Sequence, residues 1–123
     1  MDKKILIVDD STTIREQVRA AFAGAEFEIM EAGDGVEGIE VVTGCSDLAA
    51  ILCDVNMPRL DGLRMLEILK DQGRLVNLPV VMLTTEGQPA LVQRAKAAGA
   101  KGWIVKPFKP EQLVATMRKL TAG

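Results

Sequence analysis

Three aspartates, a threonine and a lysine hold most of the chemical potential of this sequence. They are the pair Asp9-Asp10, then Asp54, Thr84 and Lys106. Each stands at or just beyond the end of a short apolar run: Ile5 to Val8, Ala49 to Cys53, Pro79 to Leu83 and Gly102 to Val105. Taken singly, they are loop acids, a surface lysine and a strand-end hydroxyl bonded to nearby backbone. Brought to one place they become a site. Three neighbouring carboxylates repel one another, and a cation relieves the repulsion. An all-oxygen donor set suits Mg²⁺, which takes one or two carboxylates, a phosphate oxygen and several waters. Next to such a cation a carboxylate can attack phosphorus and form an aspartyl phosphate. The metal and an ammonium group then balance charge on the transferring group. Lys106 would supply the ammonium, and Thr84 a hydroxyl able to donate to a phosphoryl oxygen. Successive strand residues point to opposite faces. Asp9 and Asp10 therefore both approach one site only if their strand ends about there, one binding the metal directly and the other through water.

The segments between these runs must do the positioning. Continuous apolar runs of this length suit strands buried on both faces of a parallel sheet, and a weaker run lies at Phe27 to Met30. Ser11 is a good N-cap for a helix over Thr12 to Ala23, with Ile14, Val18, Ala21 and Phe22 on one face. Asp34 can cap Gly35 to Thr43, and Asp61 can cap Gly62 to Asp71 with Leu63, Leu66, Ile68 and Leu69 inward. Pro89 suits the first turn of a helix to about Ala98, and Gly99 its end. Pro110 opens a last helix carrying Leu113, Val114, Met117 and Leu120. Strand then helix, five times over, predicts an α/β fold: a parallel sheet with helices on both faces and right-handed crossovers. Ligands of such sheets bind outside the carboxyl ends of the strands. Every strand except the second delivers a polar group to that rim.

Composition narrows the alternatives. At 123 residues the chain is one domain, 1–123, with 48% hydrophobic and 26% charged residues. It needs neither metal nor disulfide to fold. Net charge is -2 with no basic stripe, so nucleic acid is not an expected partner. No stretch approaches the roughly 18 to 20 apolar residues of a membrane span, and the N-terminal apolar run is too short for a signal peptide. Cys53 is expected to be a buried free thiol and Cys45 a loop thiol. Both fit a reducing cytosol, and a cytoplasmic location is expected. Histidine and tyrosine are absent, which excludes His-based catalysis and a self-borne phosphohistidine.

Asp9-Asp10, the segment Asp54-Val55-Asn56-Met57-Pro58-Arg59-Leu60-Asp61-Gly62, then Thr84, then Lys106-Pro107-Phe108 together resemble the signature of the response-regulator receiver family. The resemblance covers about residues 3 to 121. It implies a doubly wound, flavodoxin-like (βα)5 fold with five parallel strands in the order 2-1-3-4-5. It implies Asp54 as phosphoacceptor, Asp10 as a direct Mg²⁺ ligand, Asp9 as a ligand largely through water, and the Asn56 carbonyl as a further ligand. Thr84 would swing toward the phosphoryl group, Lys106 would contact a phosphoryl oxygen, and the Lys106-Pro107 bond would be cis. Met57-Pro58 and Asp61-Gly62 would shape the loop after strand three. Asn56 and Glu86 occupy the positions with which the family tunes phosphoryl lifetime, in the pairing found in short-lived chemotaxis receivers. The clearest departure is Trp103, where the family carries Tyr, Phe or His as a switch. An indole there is either held outward, given an enlarged pocket, or fixed on the helix-four side of strand five.

The resemblance implies a signalling protein of a two-component system, acting in chemotaxis. It would be no enzyme beyond promoting its own phosphotransfer and dephosphorylation. Its partners would be a sensor histidine kinase, a downstream target such as a flagellar motor switch, and a phosphatase. The output face would be the fourth helix, fifth strand and fifth helix. Lys101 replaces the Asp that dimerising transcriptional receivers place ahead of strand five, so a monomer is expected. Met1 and the Asn56/Glu86 pair favour a stand-alone protein over a receiver cut from a larger regulator. A haloacid-type phosphatase needs a second Asp where Asn56 stands. A flavodoxin-like carrier would place its cofactor phosphate against Asp9-Asp10. A plain protein-binding scaffold leaves the acid cluster unexplained.

Overall fold

The computed structural model describes residues 2–122. Strands and helices alternate along it: β1 (Lys3–Val8), α1 (Thr12–Phe22), β2 (Phe27–Ala32), α2 (Gly35–Gly44), β3 (Leu48–Cys53), α3 (Gly62–Asp71), β4 (Val80–Thr84), α4 (Pro89–Ala97), β5 (Gly102–Val105) and α5 (Pro110–Thr121). The strands form one sheet in the order β2-β1-β3-β4-β5. All four pairings are parallel, as expected of a flavodoxin-like sheet.

The apolar runs are continuous because the central strands are covered on both sides. Leu6, Val8, Ile51, Cys53 and Met82 pack toward α2, α3 and α4. Their strand neighbours Ile5, Ile7, Leu52, Val81 and Leu83 pack toward α1 and α5. β2 lies at the sheet edge, where Phe27 and Ile29 are buried while Glu28 and Glu31 face solvent. That alternation explains its weaker apolar signal.

The predicted caps form. Ser11 accepts from the Ile14 N–H, Asp34 from Glu37 and Asp61 from Arg64. Pro89 and Pro110 open α4 and α5, and Gly99 follows α4 with φ +102°. Thr84 is the last residue of β4, one beyond its apolar run. One expectation needs correction. In α3, Met65 is buried with Leu63, Leu66 and Leu69, whereas Ile68 is only half-buried. At 3.6 residues per turn, Met65 falls beside the inward stripe and Ile68 more than a quarter-turn away from its centre.

Candidate functional site

β1 delivers Asp9 and Asp10 to the carboxyl rim. Asp9 is fully buried. Its Oδ1 accepts the Ser11 N–H at 2.9 Å and its Oδ2 accepts Lys106 Nζ at 2.7 Å. Burial raises the Asp9 carboxyl above its usual value, against the opposing pull of Lys106 and Ser11. Asp10 is exposed, and its carboxylate has no hydrogen-bond partner among the described residues. Asp54 follows β3, where its N–H bonds the Val8 carbonyl at 3.0 Å and so ties it to the end of β1. Its Oδ1 accepts the Val55 N–H at 2.7 Å, and Lys106 Nζ lies 3.4 Å from its Oδ2. Lys106 follows β5, and its N–H bonds the Thr84 carbonyl at 2.9 Å. The Lys106-Pro107 peptide is cis. One ammonium thus stands between two acids, and Asp9, Asp10 and Asp54 each offer an oxygen within 4.8 Å of the others.

Three carboxylates against one lysine leave excess negative charge in a site closed on one side. The donors are all oxygen, which suits Mg²⁺ better than a softer metal. Both Asp9 oxygens are already engaged by the protein. Asp10 and one side of Asp54 remain open, and the Asn56 carbonyl enters no backbone bond among the described residues. The residues present therefore fit the ion, with Asp10 the better placed of the pair for direct contact.

The loop after β3 is tightly fixed. The Gly62 N–H bonds the Val55 carbonyl at 2.8 Å, and the Gly35 N–H bonds the Leu60 carbonyl at 3.1 Å. A Cβ at Gly62 would lie 1.8 Å from the Asp54 carbonyl oxygen, so only glycine allows the chain to pass there. Arg59 sits at φ +64°, a region side chains rarely adopt. Its guanidinium grips Asp34 through two bonds of 2.8 and 3.2 Å. That contact holds the Asp34 carboxyl below its usual value.

Thr84 is buried and its Oγ1 accepts the Glu86 N–H at 3.2 Å. It makes no hydrogen bond to the acids among the described residues, and Thr85 is exposed. Trp103 is half-buried against the α2–α3–α4 layer, and its Nε1 donates to the Glu86 carbonyl at 2.9 Å. Of the arrangements open to an indole at this position, the structure has the packed one, with its N–H satisfied. Asn56 Nδ2 donates to Glu86 Oε1 at 2.7 Å, joining the two positions expected to tune lifetime. Glu86 thereby meets Thr84, Asn56 and Trp103 at once. Cys53 is a fully buried free thiol, and burial pushes it well above its usual range, so it is inert. Cys45 is free and half-buried.

Some contributors escaped the sequence reading. Ser11 serves Asp9 with its backbone as well as capping α1. Arg15 bonds the Asp9 carbonyl, and its only trace in the sequence is a basic residue early in α1. The Arg59–Asp34 contact joins residues 25 apart and leaves no local pattern.

A family profile for the response regulator receiver domain matches residues 5–118. The chain belongs to the response-regulator receiver family. This receiver is 37% identical to chemotaxis protein CheY1 of Helicobacter pylori over 111 residues, covering 89% of this chain and 90% of that protein. Its fold matches CheY4 of Vibrio cholerae with a TM-score of 0.89 at 38% identity, over 98% of this chain and 99% of that one. It also matches a Borrelia burgdorferi structure of a CheX-CheY-BeF3-Mg complex with a TM-score of 0.86 at 28% identity, over 98% and 90% of the two chains. Receivers of this kind are signalling proteins. Among the described residues no helix is long and apolar enough to cross a membrane.

Proposed function

We propose that residues 1–123 act as a single receiver whose Asp54 takes a phosphoryl group from the phosphohistidine of a sensor kinase, in a chemotaxis-type pathway. The observation that carries this is Lys106, held between Asp9 and Asp54 beside an Asp10 with no partner among the described residues. In the step itself, an Asp54 oxygen bonds phosphorus as the donor's P–N bond breaks, and the leaving imidazole takes a proton. Mg²⁺ bound by Asp10, Asp54 and the Asn56 carbonyl, with Asp9 reached through water, would supply charge neutralisation on the phosphoryl oxygens. Lys106 already points at Asp54 and turns from it to a phosphoryl oxygen. Asp9 keeps hold of the lysine throughout and limits where its ammonium can go.

Thr84 carries the message outward. Its hydroxyl accepts the Glu86 N–H, so turning to donate to a phosphoryl oxygen releases the first residues of the β4–α4 loop. Asn56 and Glu86 limit how long the phosphoryl group lasts, giving self-hydrolysis in seconds to minutes. Binding of a downstream target, such as a flagellar motor component, then changes on the α4–β5–α5 face by population shift. Similarity to CheY1 and CheY4 supports the chemotaxis assignment, and the BeF3-Mg complex of a related CheY supports the chemistry.

The test uses Trp103, the only tryptophan. Its fluorescence is followed as Mg²⁺ and then beryllofluoride are added to wild type and Asp54→Asn, with intact mass read after a small phosphodonor. Wild type should gain one phosphoryl group and lose it within minutes, and the variant should gain none. A wild type that takes up no phosphoryl group in Mg²⁺ defeats the proposal.

A further inference from the structure

The two acids at the end of β1 meet the sheet differently. The Asp9 N–H continues the ladder, bonding the Ala32 carbonyl of β2 at 3.0 Å. The Asp9 carbonyl leaves it and accepts Nη1 of Arg15 at 2.6 Å. Arg15 lies near the start of α1, with its side chain only 19% exposed. Its Nε donates to Glu31 Oε1 of β2 at 2.9 Å, so one guanidinium is fastened to the neighbouring strand and to the carbonyl between the two acids. Arg19 shares the Glu31 carboxylate, is far more exposed and does not touch Asp9.

This arrangement resolves a conflict set by strand geometry. In an extended chain Asp9 and Asp10 would point to opposite faces, yet both offer oxygens to the same cluster. The chain must therefore turn between them, and a carbonyl that turns out of the ladder needs another donor. An arginine fork can hold two acceptors at a set angle, whereas a lysine is a single point of charge. We infer that Arg15 is a positioning residue for the metal site. By holding the Asp9 carbonyl it fixes the turn that aims the Asp10 carboxylate beside Asp54. The inference rests on the Mg²⁺ reading above.

Charge and positioning predict opposite signs. Removing a cation beside an acid cluster should tighten Mg²⁺ binding if charge is all that matters. Loss of a group that orients a ligand should weaken it, typically by about 10-fold. Mg²⁺ is titrated into wild type, Arg15→Met, Arg15→Lys and Arg19→Met, following the backbone amide signals of Asp10 and Ser11, with folding checked by urea unfolding. Expected is about 10-fold weaker binding in Arg15→Met, a smaller loss in Arg15→Lys and wild-type affinity in Arg19→Met. Affinity in Arg15→Met equal to or tighter than wild type overturns the inference while leaving the Mg²⁺ reading intact. An equal loss in Arg19→Met overturns it too, since that residue reaches only Glu31. If wild type itself shows no Mg²⁺ response, the reading beneath it fails and the inference with it. Should Arg15→Met not fold, Arg15→Lys decides, because it keeps the charge and loses the fork. Unchanged affinity there is disproof.

Discussion

At the scale of single residues the site trades stability for reactivity. Three carboxylates converge where a single ammonium meets only two of them, and burial raises the Asp9 carboxyl above its usual value. Such arrangements persist because function requires them, and relieving them commonly stabilises. Asp54→Asn is an informative relief. An asparagine Oδ1 can still accept the Val55 N–H bonded at 2.7 Å. What is lost is one negative charge and a 3.4 Å contact with Lys106, whose shorter bond to Asp9 remains. Without Mg²⁺ the variant should be more stable than wild type by about 1 kcal/mol. Added Mg²⁺ should narrow that gap by stabilising wild type through binding. Urea unfolding in EDTA and in Mg²⁺ measures both, and a variant less stable than wild type in EDTA contradicts the account. These acids were legible in the sequence because each ends an apolar run, and strand ends of a parallel sheet share a rim. Arg15 was not, because a basic residue in a first helical turn is ordinary until its carbonyl partner is known.

At the scale of elements, the loop after β3 holds Asp54 in place through two unlike devices. The first is steric. Gly62→Ala would put a carbon 1.8 Å from the Asp54 carbonyl oxygen, a backbone atom that cannot step aside. It should destabilise by about 3 kcal/mol and weaken phosphorylation with it. Gly44→Ala at the end of α2 meets nothing within 4 Å and should be neutral or mildly stabilising. Similar thermal midpoints for the two variants would show that the close approach does not matter. The second device is electrostatic. Asp34 is depressed chiefly by its Arg59 bonds, with the Glu37 N–H assisting. A group depressed on folding contributes stability that is fully present above its unfolded value, near 3.8, and is lost as pH falls through the lower folded value. Wild type should therefore lose stability below about pH 4 more steeply than Arg59→Met, in thermal melts taken from pH 6 to pH 2. Equal slopes would remove Arg59 as the cause. The helix caps behind this loop were legible, since Ser, Asp and Pro mark helix starts by a local mechanism. The stripe of α3 was misjudged at Ile68 and Met65 because the adjacent pairs Met65-Leu66 and Ile68-Leu69 fit more than one face until the sheet selects it. The Arg59–Asp34 clasp was invisible, since it joins two loops that only the tertiary fold brings together.

At the scale of the whole molecule, a net charge of -2 conceals a separation. From Gly87 to the C-terminus the chain has seven Lys and Arg against one acid, Glu111. Arg94 and Arg118 are engaged by Glu67 and Glu26. Lys96, Lys101, Lys109 and Lys119 are exposed and have no ion-pair partner among the described residues. Arg118 reaches Glu26, just before β2, and Lys119, turned about 100° from it around α5, does not share that contact. Lys96 and Lys101 line one groove with half-buried Trp103, on the strand that also carries 51% exposed Val105. Residues 1–86, acid rim included, carry 16 acids against eight Lys and Arg. A field of this shape would steer an acidic partner toward the proposed α4–β5–α5 output face and away from the acid rim. Its presence can be measured without any partner. At pH 7 and low ionic strength the protein should bind a sulfonate resin despite its negative net charge, because a resin meets a patch and not the sum. Retention should vanish near 0.1 to 0.2 M salt, where the Debye length shrinks to about 10 Å or less. Lys101→Glu with Lys119→Glu should abolish retention, whereas Arg19→Glu with Arg74→Glu, an equal change of charge on α1 and after α3, should leave most of it. If both pairs lose retention alike, or wild type never binds, the lysines do not act together as a surface.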